Sequence, residues 1–267
     1  MELFDVHAHT NLSYCATEDL TPEVYRSALD DPNGILGRQA LTNHGFQAYF
    51  PPDLAWSWRW LDKPELFDRY RERGDERLLG FRSQVEAMKD DRLLFGVEVE
   101  LMADGRLTCS DVVFRQADIL IGSLHMMPEA YQSGMSPTEL IDAYLLYTRD
   151  LCASGVDVLG HPFRWLLETL GFVSPALITE VVSICASHGV AVELNVRAGS
   201  AGLTTLIREA VGAGVPLALA TDAHSPGEVG RLEGHLEAIK KAGFDIAEVL
   251  LYEGRPAERD SGAEQRK

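Results

Sequence analysis

The chain has 267 residues, a length that suits one β/α barrel or two small domains. Its hydrophobic fraction of 46% and charged fraction of 24% are ordinary globular values, which sets aside disorder, collagen and coiled coil. With 24 Lys and Arg against 41 Asp and Glu the formal net charge is −17, a field that repels phosphate backbones and anionic membranes and argues against binding of long nucleic acid.

Cys15, Cys109, Cys152 and Cys185 are far apart and form no C-x-x-C pair, so neither a disulfide framework nor a zinc ribbon is expected. The opening MELFDVHAHT lacks the charged and then apolar pattern of a signal peptide, and the longest apolar runs fall far short of 18 residues. A cytoplasmic protein without a membrane span is the expectation.

In chain order, short apolar runs predict seven strands: ELFDV (2–6), QALT (39–42), LLFGVEV (93–99), DILIGS (118–123), VDVLG (156–160), VAVEL (190–194) and PLALA (216–220). Helical periodicity separates them. Thr21-Pro22-Glu23, Ser136-Pro137-Thr138-Glu139 and Ser174-Pro175 each set an N-cap before a proline in the first turn. The helices so opened are expected over 21–31, 136–154 and 174–188, the last closed by Gly189. Two further helices are predicted over 203–213 and 227–241. Residues 46–92 form a long connection, with Trp56, Trp58 and Trp60 packing it onto the barrel or serving as a lid, followed by a charged helix over 68–92 read as a solvated face. The tail from 253 to 267 lacks apolar residues and is expected to fray. Alternation of this kind gives right-handed crossovers and a parallel sheet, and seven short apolar strands suit a nearly closed barrel. No glycine-rich phosphate loop follows the first strand, which argues against a dinucleotide fold.

The histidines carry the functional signal. His7 and His9 follow the first strand, His44 the second, His125 the fourth and His161 the fifth; Glu98 and Glu193 end the third and sixth, and Asp222 and His224 follow the seventh. Every strand therefore delivers an imidazole or a carboxylate to the C-terminal face, where barrel enzymes build their sites. Taken singly, each is better explained as a hydrogen-bonded loop residue. Together they would repel or stay unsatisfied unless cations sat among them. His7-x-His9 in an extended chain puts both rings on one side. The number of nitrogen and oxygen donors exceeds what one ion accepts, so two or three divalent ions (Zn, Mn or Fe) are expected, with open positions suited to hydrolysis.

In order, His7-x-His9-Thr10, Asn43-His44-Gly45, Gly96-Val97-Glu98, Gly122-Ser123-Leu124-His125, Gly160-His161-Pro162 and Thr221-Asp222-Ala223-His224 resemble the motifs of the PHP (polymerase and histidinol phosphatase) superfamily. The resemblance implies a distorted seven-stranded (β/α)7 TIM-like barrel over residues 1–252 as one domain, with a multinuclear metal site at its C-terminal face. It implies that His7, His9, Glu98 and Asp222 hold one ion, that Glu98 bridges to a second held by His125 and His161, and that His44 and His224 hold a third. Family members often place one more histidine or acid shortly after the first motif; here Cys15 stands there, as a thiolate ligand or as a small buried thiol. Glu100 competes with Glu98 on strand parity, while Gly-x-Glu favours Glu98. Glu193 is read either as orienting a ligand or as a local cap.

The activity so implied is hydrolysis of a phosphomonoester by a metal-held hydroxide attacking phosphorus. Glu98, Asp222 and His224 are the catalytic candidates, with Asp222 or His224 protonating the leaving alcohol. Arg164 and Arg197, in loops on the same face, are candidate phosphate ligands, since guanidinium pairs with phosphate bidentately. The expected partner is a small phosphorylated metabolite, with L-histidinol phosphate favoured. The alternatives are a nucleotide phosphodiesterase or exonuclease-type PHP enzyme, and a metal-binding barrel without turnover.

Overall fold

The computed structural model describes residues 2–129, 136–197 and 202–254; the expected frayed tail lies outside these from residue 255 onward. Seven strands, β1 (Leu3–Asp5), β2 (Leu36–His44), β3 (Leu93–Val99), β4 (Ile119–Gly122), β5 (Val158–Leu159), β6 (Ala191–Asn195) and β7 (Leu217–Ala220), pair in parallel and in sequence order. The sheet nearly closes on itself. Beyond the ends of β1 and β7, Ala8 lies opposite Ala223, with Val6 N–H donating to Leu219 O (2.9 Å), Asp222 N–H to His7 O (2.8 Å) and His9 N–H to Ala223 O (3.0 Å). Each predicted strand coincides with an observed one, and the barrel is the expected fold.

Strand parity explains what faces inward. Val6, Ala40, Ile119, Ile121, Val158, Ala191, Ala218 and Ala220 form a small apolar cluster inside the barrel, separate from the larger core beneath the helices. Since side chains alternate with period two, the inward rows run from Ala40 to His44, from Ile121 to His125, from Ala191 to Glu193 and from Ala220 to Asp222. The polar site is the continuation of the apolar plug. Gly160 keeps this interior passable: a Cβ there would lie 2.3 Å from Ser123 Oγ.

The helices are α1 (Pro22–Leu29), α2 (Gly45–Tyr49), α3 (Pro52–Ala55), α4 (Pro64–Ala87), α5 (Asp111–Gln116), α6 (Pro137–Ala153), α7 (Arg164–Leu170), α8 (Pro175–His188), α9 (Leu203–Ala213) and α10 (Glu233–Lys241). The predicted stops and starts hold where a side chain does the capping. Ser136 and Glu139 form a reciprocal capping box on α6, and Ser174 caps α8, which ends in left-handed Gly189. The last predicted helix begins at Glu233 rather than 227, because Pro226–Glu228 make a separate 3-10 turn whose Glu228 accepts from the His224 and Ser225 amides.

The long connection differs more. Its helix runs over 64–87, not 68–92, and it is not merely a solvated face. Arg73 donates to Ala48 O and Tyr49 O (3.0 and 2.6 Å), and Arg77 to Tyr14 Oη and Gln47 O (both 2.9 Å), tying α4 to the segments around the site. Trp60 is fully buried between Phe46 and Phe50 and donates to Ala55 O, so the packing role fits it, whereas Trp56 is 47% exposed. No helix among the described residues is long and apolar enough to cross a membrane.

Candidate metal centre

Glu98, fully buried near the end of β3, is the hub of the C-terminal face. Its two oxygens face different imidazoles. Oε1 lies 2.9 Å from His161 Nε2 and 3.4 Å from His125 Nε2. Oε2 lies 2.6 Å from His44 Nδ1, 3.3 Å from His7 Nε2 and 3.6 Å from His9 Nε2. Asp222 Oδ1 adds a second carboxylate on the latter side, 3.1 Å from His9 Nε2 and 3.8 Å from His7 Nε2. His224 completes the set, its ring 4.3 Å from that of His9 and its Nδ1 2.7 Å from the Asp222 carbonyl. Eight of the nine residues named from the strand ends thus converge on one face.

Two of them carry strained backbone. His161 (φ 22°) and Asp222 (φ 51°) both occupy the left-handed region. Such conformations cost about 1–3 kcal/mol each and survive where the surroundings over-determine them. At His161 the turn breaks the inward parity after Gly160, which would otherwise aim the ring outward.

Around this set lies a shell of partners. Glu193 Oε2 is 2.9 Å from His7 Nδ1, and Asn195 Nδ2 donates to Glu193 Oε1 (2.7 Å). Glu100 Oε1 is 3.0 Å from His125 Nδ1, and its other oxygen accepts from Thr108 Oγ1 (2.7 Å). Glu100 therefore sits behind His125 instead of competing with Glu98. The sequence offered the parity clue but not that β3 stops at Val99, just before it. His235, outside the histidine pattern, is buried beneath the same face and bonds Ala220 O (2.8 Å).

The charges are arranged for cations. Burial disfavours an ionised Glu98, yet His44, His7 and His125 hold its carboxyl well below the usual range. Asp222, also opposed by burial, is held well below it by His9 and His7. Burial pushes His9 and His125 well down, toward the neutral form that ligates metals. At Glu100, burial and the nearby Glu98 charge push the carboxyl up to about 8. At Cys15, burial opposes ionisation, but hydrogen bonds with His224 and His44 bring the thiol down to about 6.

The donor set fits metal ions. His7 Nε2, His44 Nδ1 and Glu98 Oε2 are buried, close together and without a hydrogen bond, which an apolar interior does not tolerate without compensation. Three groups, His7–His9–Glu98, His44–Glu98–His125 and His9–His44–His224, each bring their ligand atoms within 4.8 Å of one another. Beside them opens a cavity of about 560 Å3 lined by Cys15, Arg164, Leu167, Glu168, Arg197, Asp222 and His224. Arg164 pairs with Glu168 (3.2 Å), and Arg197 donates to Asp222 O (2.6 Å) and pairs with Glu228 (3.1 Å).

A scan against protein-family models gives no match. Among curated proteins, the chain is 27% identical over 181 residues to the DNA polymerase/3'-5' exonuclease PolX of Bacillus subtilis, covering 66% of this chain and 30% of that protein. It is 29% identical over 174 residues to probable phosphatases of Thermoanaerobacter sp. strain X514 and Thermoanaerobacter pseudethanolicus, covering 62% of this chain and 66% of each. These matches therefore span under a third of the polymerase and about two thirds of the phosphatases. Among solved structures, histidinol phosphate phosphatase from Lactococcus lactis, complexed with zinc, L-histidinol and phosphate, superposes with a TM-score of 0.60 at 18% identity over 90% of this chain and 94% of that one, a likeness of fold.

Proposed function

We propose that the chain is a PHP-superfamily phosphoesterase and that residues 1–252 act as one barrel domain hydrolysing small phosphomonoesters with two or three divalent ions. The observation that carries the reading is Glu98, whose two oxygens part five imidazoles into two groups. A carboxylate so placed suits a bridge between adjacent ions.

We assign His7, His9, Glu98 and Asp222 to one ion, Glu98, His125 and His161 to a second, and His44 with His224 to a third. Such ions, when bound, supply Lewis-acid neutralisation of phosphoryl oxygens and a lowered pKa for water. The chain's own residues do the rest. Glu193 and Glu100 accept from the outer nitrogens of His7 and His125, leaving the inner nitrogens as lone-pair donors. Asp222 is held ionised, and His224 Nδ1 faces the Asp222 carbonyl, so holding an ion suits both better than protonating a leaving group. Arg164 and Arg197 face the cavity beside the ions and would clamp the phosphate oxygens.

The test is a panel of phosphate esters offered to protein loaded with Zn, Mn or Fe. Hydrolysis of p-nitrophenyl phosphate but not of its bis-ester is the expected result; L-histidinol phosphate, the ester whose products lie in the Lactococcus lactis structure, is the first metabolite to try. No monoester turnover with any metal overturns the reading. Preference for the bis-ester would instead support the exonuclease-type reading, which the PolX match favours and the charge of −17 opposes. Arg164→Ala and Arg197→Ala should each raise KM by about 10–100-fold, the worth of one charged hydrogen bond; unchanged KM in both removes the clamp.

A further inference from the structure

The row of imidazoles has two different ends. His44 stands in the middle, its ring 6.3 Å from that of His224 and 5.0 Å from that of His125. At the His224 end the cavity is lined by Arg164 and Arg197, groups suited to phosphate oxygens. At the His125 end the neighbours are aromatic. The Trp58 ring stacks on that of His125, with 6.0 Å between centroids and 17° between planes. The Phe46 ring lies 4.9 Å from His44 and 6.1 Å from His125.

Packing alone leaves two features of this end unexplained. Trp58 holds left-handed backbone (φ 56°), a strained conformation for so bulky a residue. Two of the three other described non-glycine residues with positive φ are His161 and Asp222, which belong to the metal centre. Trp56 touches Trp58 (6.3 Å between centroids) and Phe46 (5.7 Å), yet it is one of the most exposed large apolar side chains. The segment is firmly held. Leu61 N–H donates to Trp58 O (3.0 Å), Ala103 N–H to Leu61 O (2.8 Å) and Glu129 N–H to Asp62 Oδ2 (3.1 Å), and Trp60 lies buried beside Trp58. Among the described residues, no arginine or lysine stands over either indole. A fixed, uncovered aromatic surface therefore adjoins the proposed ions.

We propose that Trp56 and Trp58 form a stacking platform that selects phosphomonoesters whose leaving alcohol carries a flat aromatic ring. With the phosphate taken by the arginine end, the aromatic end is left for the organic substituent. Indole faces favour a planar π-system beyond the area it buries, and a rigid pair loses little entropy on binding it. A saturated ring of the same size buries similar area but does not stack.

The inference rests on the proposed function, and the experiment keeps the two apart. Protein loaded with Zn, Mn or Fe is offered benzyl phosphate and cyclohexylmethyl phosphate, whose leaving alcohols differ in flatness far more than in acidity. Binding alone is measured by calorimetry with the matching phosphonates, in which CH2 replaces the ester oxygen. The benzyl ester should be preferred about three- to tenfold in kcat/KM, and its phosphonate should bind more tightly by a similar factor. Trp56→Ala should abolish both preferences, Trp56→Phe should retain part of them, and Trp58→Leu gives an independent second loss. No preference in the unaltered protein, with p-nitrophenyl phosphate still hydrolysed, overturns the platform and leaves the phosphatase reading intact. A preference that survives both Trp56→Ala and Trp58→Leu overturns it equally. Selective phosphonate binding that Trp56→Ala removes, without turnover of any monoester, supports the platform and overturns the proposed function alone. Neither binding nor turnover overturns both.

Discussion

His7 illustrates how one side chain is committed from two sides. Its Nδ1 meets Glu193 at 2.9 Å while Nε2 points into the centre toward Glu98. Burial penalises a charged ring, yet the Glu193 and Glu98 carboxylates hold it well above its usual range, a measure of how strongly this spot favours positive charge. His125 repeats the pattern with Glu100 behind it. Replacing such an outer carboxylate weakens metal binding by about 10–100-fold while leaving the ligands in place. Glu193→Gln should therefore weaken the ion assigned to His7 and Glu100→Gln the one assigned to His125, read by chelator competition followed by elemental analysis. Unchanged affinity in Glu193→Gln would reduce that residue to a local cap.

At the scale of elements, α4 is held against α2 by a close backbone approach as well as by Arg73 and Arg77. Gly74 packs on Tyr49 of α2: a Cβ there would lie 1.9 Å from the ring, and Tyr49 Oη in turn bonds Asp75 (2.7 Å) and the Ser110 amide (2.9 Å). Gly80, on the same helix, has nothing within 4 Å of its would-be Cβ. Gly74→Ala should lower stability by about 1–3 kcal/mol through overpacking, and Gly80→Ala should raise it by about 0.5–1 kcal/mol through helix propensity, both measured by urea unfolding. A stabilising Gly74→Ala would mean that α2 can slide away from α4.

The contrast also marks what the sequence could tell. Strands with buried apolar runs, and helices opened by Ser-Pro or Thr-Pro, were legible because local chemistry decides them. So was the convergence of His7, His44, Glu98, His125, His161 and Asp222, since strand ends share one rim. Arg73 and Arg77 were not: in a run as charged as DRYRERGDER, nothing local distinguishes a guanidinium that seeks loop carbonyls from one that seeks water. The helix α7, which carries Arg164, was missed because it is seven residues long and lacks a side-chain N-cap.

For the whole molecule, the salient feature is where the barrel closes. β1 has three residues, and past its end the β1–β7 seam is held by Val6–Leu219, His7–Asp222 and His9–Ala223 backbone bonds. The proposed ligands His7 and His9 stand on one side of that seam, Asp222 and His224 on the other. Stripping the ions with a chelator should lower the melting temperature by about 5–15 °C, the effect of losing ligands present at 100–1,000 times their dissociation constant in a protein of this size. Hydrogen exchange should rise first at residues 6–9 and 219–223. An unchanged melting temperature after verified ion removal would show that the seam stands by itself.

Ions held as proposed would act as rivets in the last stave of a hoop, and would tie the protein's upkeep to the supply of those elements. Scarcity of those elements would show as thinning protein, through proteolysis of loosened chains, rather than as an intact stock waiting idle.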